Sequence, residues 1–264
     1  MAVRLITIPE EILLPEEILA HALDGPRSGL IDATAIYRFA QSPFAVWCDR
    51  FAPPEAKDYA DEFTKLLFEQ GREHEARVLS ERFPNAQQVK YETPEEGFRL
   101  VLESMARGAP AIHGGPAFYL PEGLKGRVDI LERRDGGPSI FGNYHYVVKE
   151  IKLAKNLQTH HRLQGAFYNY VIGKLQCFTP SQFYLINRDH VETTFQHDEH
   201  ELLAVLAAIR RIYEGEKPPA IHGAGVAPWD SYTDQVAWEN RDISLVAGIG
   251  PAKREKIVTF GLRT

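Results

Sequence analysis

Cysteine is scarce in this 264-residue chain: Cys48 and Cys177 are the only two, far apart and without CxxC spacing. No disulfide framework is open to them, and they read as core or surface thiols in a reducing compartment. An excess of positive charge is also missing. Against 36 Asp and Glu stand 30 Lys and Arg, a net charge of −6, the reverse of the usual balance in a bulk nucleic-acid-binding protein. Long apolar runs are absent as well. The opening Met1-Ala2-Val3-Arg4-Leu5-Ile6 has one basic residue and meets Pro9, Glu10 and Glu11 before a secretory core or a membrane span can form. The expectation is a cytoplasmic protein with no membrane partner. At 44% hydrophobic and 25% charged the composition is that of a globular chain, long enough to bury a core unaided.

What is present is a change of period along the chain. Residues 1–29 form an N-terminal segment ending in the turn-rich Asp24-Gly25-Pro26-Arg27-Ser28-Gly29. Asp32 can cap a helix beginning near Ala33, and Pro43 interrupts it. A long helix is predicted from about Lys57 to Arg82, with Phe63, Leu66, Leu67, Gln70, His74, Arg77, Val78 and Glu81 along one stripe. Another fits Pro94 to Met105. Strands follow at Phe118–Leu120 and Leu124–Glu132, a turn at Arg134–Pro138, and a strand at Tyr144–Leu153. Then come a helix over Thr159–Gly173, strands near Phe183–Asn187 and Val191–Thr194, and a helix over Glu199–Tyr213. This order predicts an α/β core over 30–215, a sheet flanked by helices with an N-terminal helical insertion. Residues 216–239, rich in Pro and Gly at their start, read as a linker before 240–264.

The chemistry lies in the middle. In Tyr144-His145-Tyr146-Val147-Val148-Lys149-Glu150-Ile151-Lys152, alternation puts Glu150 and Lys152 on one side of a strand. Asp129, in the apolar Gly126-Arg127-Val128-Asp129-Ile130-Leu131, would come beside Glu150 across a hairpin. Two carboxylates and a lysine suit phosphodiester hydrolysis: the oxygens hold Mg²⁺ or Mn²⁺, and the metal lowers the pKa of a bound water. Lys152 can orient or deprotonate that water, or stabilise the pentavalent phosphorus. Taken alone, the triplet fits a cross-strand salt bridge better. Gln164 and Tyr168, at i and i+4 on the next helix, add a polar pair able to face the site. His74, on the long helix, offers an imidazole ligand, although alone it reads as a surface histidine. From Lys149 to Arg162 the chain also carries Lys155, His160 and His161 with Glu150 as the one acid, so Lys155 and Arg162 are candidates for phosphate contact.

In this order His74, Gly126-Arg127-Val128-Asp129, Glu150-Ile151-Lys152 and Gln164-x-x-x-Tyr168 resemble the motifs of RecB-family nucleases, within the PD-(D/E)xK superfamily. The subgroup most similar is the RecB-like nucleases related to CRISPR-associated exonucleases, and the resemblance covers roughly residues 30–215. It implies a restriction-endonuclease-like core, with a metal held by His74, Asp129, Glu150 and the carbonyl of Ile151. Lys152 would be catalytic, assisted by Gln164 and Tyr168. DNA would be the partner, alongside a helicase or other DNA-processing protein. Many such relatives carry an iron–sulfur cluster on four cysteines. Here Ser42-Pro43 and Ala227-Pro228-Trp229 stand where cysteines would be expected, so no iron–sulfur cluster is expected, and packing that involves Trp47 and Trp229 is expected to hold those segments instead.

A second nucleic-acid signal follows. Residues 241–258 contain Gly248-Ile249-Gly250-Pro251, then Lys253 and Lys256, a pattern that fits helix-hairpin-helix over 240–264. Gly248 and Gly250 would let backbone amides approach a phosphate, with Lys253 and Lys256 adding charge. An ordinary αα-turn is the plainer alternative. The chain stops at Gly261-Leu262-Arg263-Thr264, where such modules usually continue, so a truncated module is expected, in a fragment or a short version of a longer protein. The whole reads as a metal-dependent deoxyribonuclease, an exonuclease on single strands or ends. A catalytically silent nucleic-acid-binding protein of the same fold, or an α/β protein with an internal Glu–Lys bridge, would share part of these features.

Overall fold

A computed structural model of the chain describes residues 14–59 and 62–261, without the side chains of 62–65. The predicted features at Met1–Ile6, the Phe63 side chain and Leu262–Thr264 fall outside what is described. The chain divides into two compact units, one of residues 1–33 and 69–202, the other of 34–68 and 203–264. This division differs from a contiguous 30–215 domain: the N-terminal helices join the C-terminal segment.

The first unit is α/β. It contains α1 (Pro15–Ala22), most of α4 (Glu62–Arg82), β1 (Gln87–Gln88), α5 (Pro94–Ala106), β2 (Ala111–Tyr119), β3 (Leu124–Ser139), β4 (Gly142–Ile151), α6 (Thr159–Leu175), β5 (Gln182–Ile186) and β6 (Glu192–Gln196). The six strands lie in sequence order in one mixed sheet. β1–β2 and β4–β5 are parallel, and the other neighbours antiparallel. Local signals place several ends well. Thr93 caps α5 and Glu96 reaches back to the Thr93 and Glu92 amides, a capping box ahead of Pro94 at the first helical position.

Two expectations shift here. The strand foreseen at Phe118–Leu120 is the end of a nine-residue β2, which runs through His113-Gly114-Gly115-Pro116. The turn foreseen at Arg134–Pro138 is strand: β3 continues to Ser139 through an irregularity beyond Asp135 and turns at Ile140-Phe141. The glycines of β2 admit helix α5. A side chain at Gly115 would begin 2.1 Å from Val101, whose helix is buried along Phe98, Val101, Leu102 and Met105. On β3, β4 and β5, Val78 and Leu79 of α4 and Phe83 just beyond it pack against Ile130, Ile151 and Ile186. Helix α6 lies on β4 and β5 and reaches β2 and β3, and Gly165 sits where a Cβ would meet Phe183 at 2.6 Å.

The second unit is helical. It holds α2 (Ala33–Gln41, from Thr34), α3 (Pro43–Phe51), most of α7 (Glu199–Tyr213), α8 (Asp230–Glu239) and α9 (Pro251–Thr259). Residues 216–239, expected as linker, contain α8. Its core joins α3 to the Trp229 region: Phe44, Ala45 and Cys48 pack on Ala220, Trp229, Val236 and Ala237, with Trp47 and Tyr232 partly buried beside them. The Trp229 indole N–H donates to Asp49 at 2.8 Å. Packing through Trp47 and Trp229, as foreseen, joins these two segments.

Where a helix-hairpin-helix was expected, a single helix follows the Gly248–Gly250 turn. Before Gly248 stands a three-residue 3₁₀ turn, Ile243–Leu245, instead of a helix. Gly248 has φ +82°, Gly250 caps α9, and Pro251 opens it. Arg254 forms a two-pronged pair with Asp242, and Lys253 donates to the Gly248 carbonyl at 2.9 Å. Of the two candidate lysines, Lys256 is the exposed one without such a contact. No described helix is long and apolar enough to cross a membrane.

Candidate functional site

Strands β3 and β4 pair regularly from Asp135 opposite Tyr144 down to Ile130 opposite Lys149, and there the ladder stops. The next residues in register are Asp129 and Glu150. Across the other edge of β3, pairing with β2 also skips one position between His113–Ile130 and Gly115–Val128, at Gly114, whose φ is +72°. Asp129 therefore sits at a gap in both ladders. The two carboxylates take over the lost backbone bonds: Glu150 Oε1 accepts from the Asp129 N–H at 3.2 Å, and Asp129 Oδ2 accepts from the Ile151 N–H at 2.8 Å. Each acid thereby satisfies the opposite strand's backbone, which fixes both side chains in the fork.

Lys152 supplies the local positive charge, its ammonium 3.0 Å from Glu150 Oε2 with the side chain largely buried. Glu150 is 1% exposed. Burial, and then Asp129 beside it, push the Glu150 carboxyl up to about 8, and burial raises Asp129 as well. Two neighbouring carboxylates with one lysine thus carry an excess of negative charge where water is largely excluded. Lys149, one residue away, faces elsewhere. Its ammonium bridges Glu132 and Glu192 at 3.2 and 2.8 Å, making it the structural ion pair of this strand.

Gln164 and Tyr168 of α6 come to the same place. Burial raises the Tyr168 hydroxyl well above its ordinary value, Glu150 and Asp129 add to this, and the Arg127 backbone amide and the Gln164 side chain act against it. The approach depends on Gly126, where a Cβ would lie 2.5 Å from the Tyr168 ring. We expect Gly126→Ala to cost about 1–3 kcal/mol by overpacking, read by urea denaturation, and to displace the tyrosine. Wild-type stability in that variant would mean that the ring moves aside freely.

On α4, the residue whose charge acts on Asp129 is Glu75, the neighbour of the foreseen His74. The groups acting on buried His74 are His190, Arg77 and the Asn187 backbone; among the described residues its Nε2 has no hydrogen-bond partner, and its ring lies 5.3 Å from that of His190. Glu75, the next residue, acts on Asp129 and is itself acted on by Lys152 and Arg127. The Glu75 carboxylate accepts from His113 Nε2 of β2 at 3.1 Å, and that bond, above all, lowers its carboxyl. Sequence reasoning missed both residues. Val78 of the buried side lies i+4 from His74 and i+3 from Glu75, so helical spacing alone did not separate the two.

No protein-family model matches this chain, and no curated protein does. Among solved structures it is similar to SSO0001, at 16% identity over 90% of this chain and 94% of that one, with a TM-score of 0.34.

Among the described residues, no group of three or more His, Cys, Asp and Glu side chains is gathered closely enough to grip a metal ion as it stands. The Asp129–Glu150 pair nevertheless fits a hard divalent cation, since its donors are oxygens and its charge excess is what such an ion would neutralise. The candidate phosphate contacts are unequal. Lys155 is exposed, with its ammonium 4.0 Å from Asp189, whereas Arg162 is engaged by Glu201 through two bonds of 2.6 Å. That pairing occupies the guanidinium fork that would have met a phosphate.

Proposed function

We propose that the chain is a divalent-metal-dependent nuclease of the PD-(D/E)xK type, RecB-like, hydrolysing DNA phosphodiester bonds as an exonuclease on single strands or ends, in repair, recombination or defence. The observation that carries this reading is the fork between β3 and β4. Half-buried Asp129 and buried Glu150 stand opposite one another there, with Lys152 as the counter-charge in contact. A structural salt bridge needs one acid for one base; this site has an acid too many.

Asp129 and Glu150 would hold Mg²⁺ or Mn²⁺, with Glu75 as the further carboxylate and the Ile151 carbonyl at the same break in the sheet. The ion would supply a water of lowered pKa and neutralise charge on the scissile phosphate. Lys152 orients the attacking water or stabilises the developing phosphorane charge. Tyr168 and Gln164 present a hydroxyl and an amide at the rim of the pair, suited to a phosphate oxygen. His113 holds Glu75 in place.

The test is cleavage of end-labelled single-stranded, duplex and closed-circular DNA by the purified chain in Mg²⁺, Mn²⁺ or EDTA. Metal-dependent shortening from free ends, with the circle spared, is expected. Lys152→Ala should lower the rate by about 10²–10³-fold, as for loss of one preorganised charge-stabilising donor. Absence of metal-dependent cleavage on every substrate would overturn the reading.

A further inference from the structure

Arg127 is not accounted for by the roles assigned so far. It lies two residues before Asp129 on β3, so its side chain leaves the strand on the side of Asp129. The residue is exposed, yet its pose is built. The Nε–H donates to the Gly114 carbonyl at 3.2 Å, and Gly114 holds φ +72°, where a Cβ would lie 2.9 Å from Arg127 Nη2. A left-handed glycine thus both offers the carbonyl and leaves room for the guanidinium. Within the described residues no carboxylate lies within ion-pair distance of Arg127. This contrasts with Arg162, Arg254, Arg82 and Arg133, all bound to acids. Its charge is still felt by Asp129 and Glu75.

We propose that Arg127 is a phosphate-binding residue, holding through its free guanidinium edge a backbone phosphate of the DNA strand next to the one at Asp129 and Glu150. This rests on the nuclease reading of that pair. Anchoring Nε to a carbonyl leaves the terminal nitrogens to meet two oxygens of a phosphodiester, the planar fork geometry at which arginine excels. The chain's overall negative charge makes such a local cation more consequential. A strand drawn to a pair of carboxylates needs a fixed positive group beside them.

The experiment is fluorescence anisotropy of a labelled single-stranded oligonucleotide on the full chain in EDTA, across a series of salt concentrations, for wild type, Arg127→Gln and Arg127→Lys. Loss of one phosphate contact should lower affinity about 5–20-fold in Arg127→Gln at low salt. It should also flatten the slope of log K against log salt by about 0.7, the single-strand value per contact. Arg127→Lys should restore the slope, a recovery that a purely structural role for the Gly114 bond would not produce, and it also serves if the glutamine variant folds poorly. Unchanged affinity and slope in Arg127→Gln, with wild type binding and cleaving DNA, would overturn this inference and leave the nuclease reading intact. Wild type that neither binds nor cleaves would overturn both.

Discussion

Asp129→Asn is expected to make the metal-free protein more stable at pH 7 while lowering metal-dependent cleavage by about 10³-fold or more, the worth of several kcal/mol of metal-centred charge stabilisation. The two effects have one cause. Asp129 and Glu150 face each other at the end of a ladder; burial raises both carboxyls, and the Asp129 charge adds to the rise at Glu150. An asparagine oxygen can still accept the Ile151 N–H, so the backbone stays satisfied while one buried charge goes. The gain should be about 1–2 kcal/mol, equivalent to one or two pKa units of relief on Glu150.

The pH dependence gives a sharper test of the same idea. A carboxyl whose folded-state value exceeds its unfolded one binds its proton more tightly in the folded protein. Its contribution to stability is complete below the unfolded value, near 4.5, and is lost as pH rises to about 8. Wild type in EDTA should therefore lose stability across that window, and Asp129→Asn should lose less. Urea denaturation at pH 5, 6, 7 and 8 measures it. A variant less stable than wild type throughout, with an unaltered pH slope, would show that the pair is not strained by its own charge.

How far the site was readable from sequence follows from the range of each signal. Asp129, Glu150 and Lys152 were legible because strand alternation and a single antiparallel pairing are enough to bring them together. Gln164 and Tyr168 needed only helical spacing directly after that strand. Helix α7 was located to the residue, Glu199–Tyr213, by its apolar stripe. Strand β2 was hidden because His113-Gly114-Gly115-Pro116 carries the usual marks of a turn. Those glycines are tertiary in origin, admitting Val101 of α5 and the Arg127 guanidinium. With β2 unseen, His113 had no place, and without His113 nothing distinguished Glu75 from His74. Long-range packing is where local reading gave out.

The same reason explains the tract read as linker, and Trp229→Ala should expose it. Gly223, Gly225 and Pro228 dominate the local pattern, yet Trp229 is 1% exposed, buried among Phe44, Cys48 and Ala237. Its indole N–H reaches Asp49, which also pairs with Arg38, and the Lys57 ammonium lies 5.4 Å from the ring centre. Truncation leaves a cavity the size of an indole and an acid short of one donor, an expected loss of about 3–5 kcal/mol. Trp229→Phe, keeping most of the packing but not the N–H, should lose about 1–2 kcal/mol. Trp238→Ala, at a side chain 65% exposed, should change stability by about 0.5 kcal/mol or less. Urea denaturation ranks the three, and hydrogen exchange should show the largest acceleration in α3 and α8 for Trp229→Ala. Equal effects of Trp229→Ala and Trp238→Ala would mean that residues 216–239 behave as a linker despite the helix they contain.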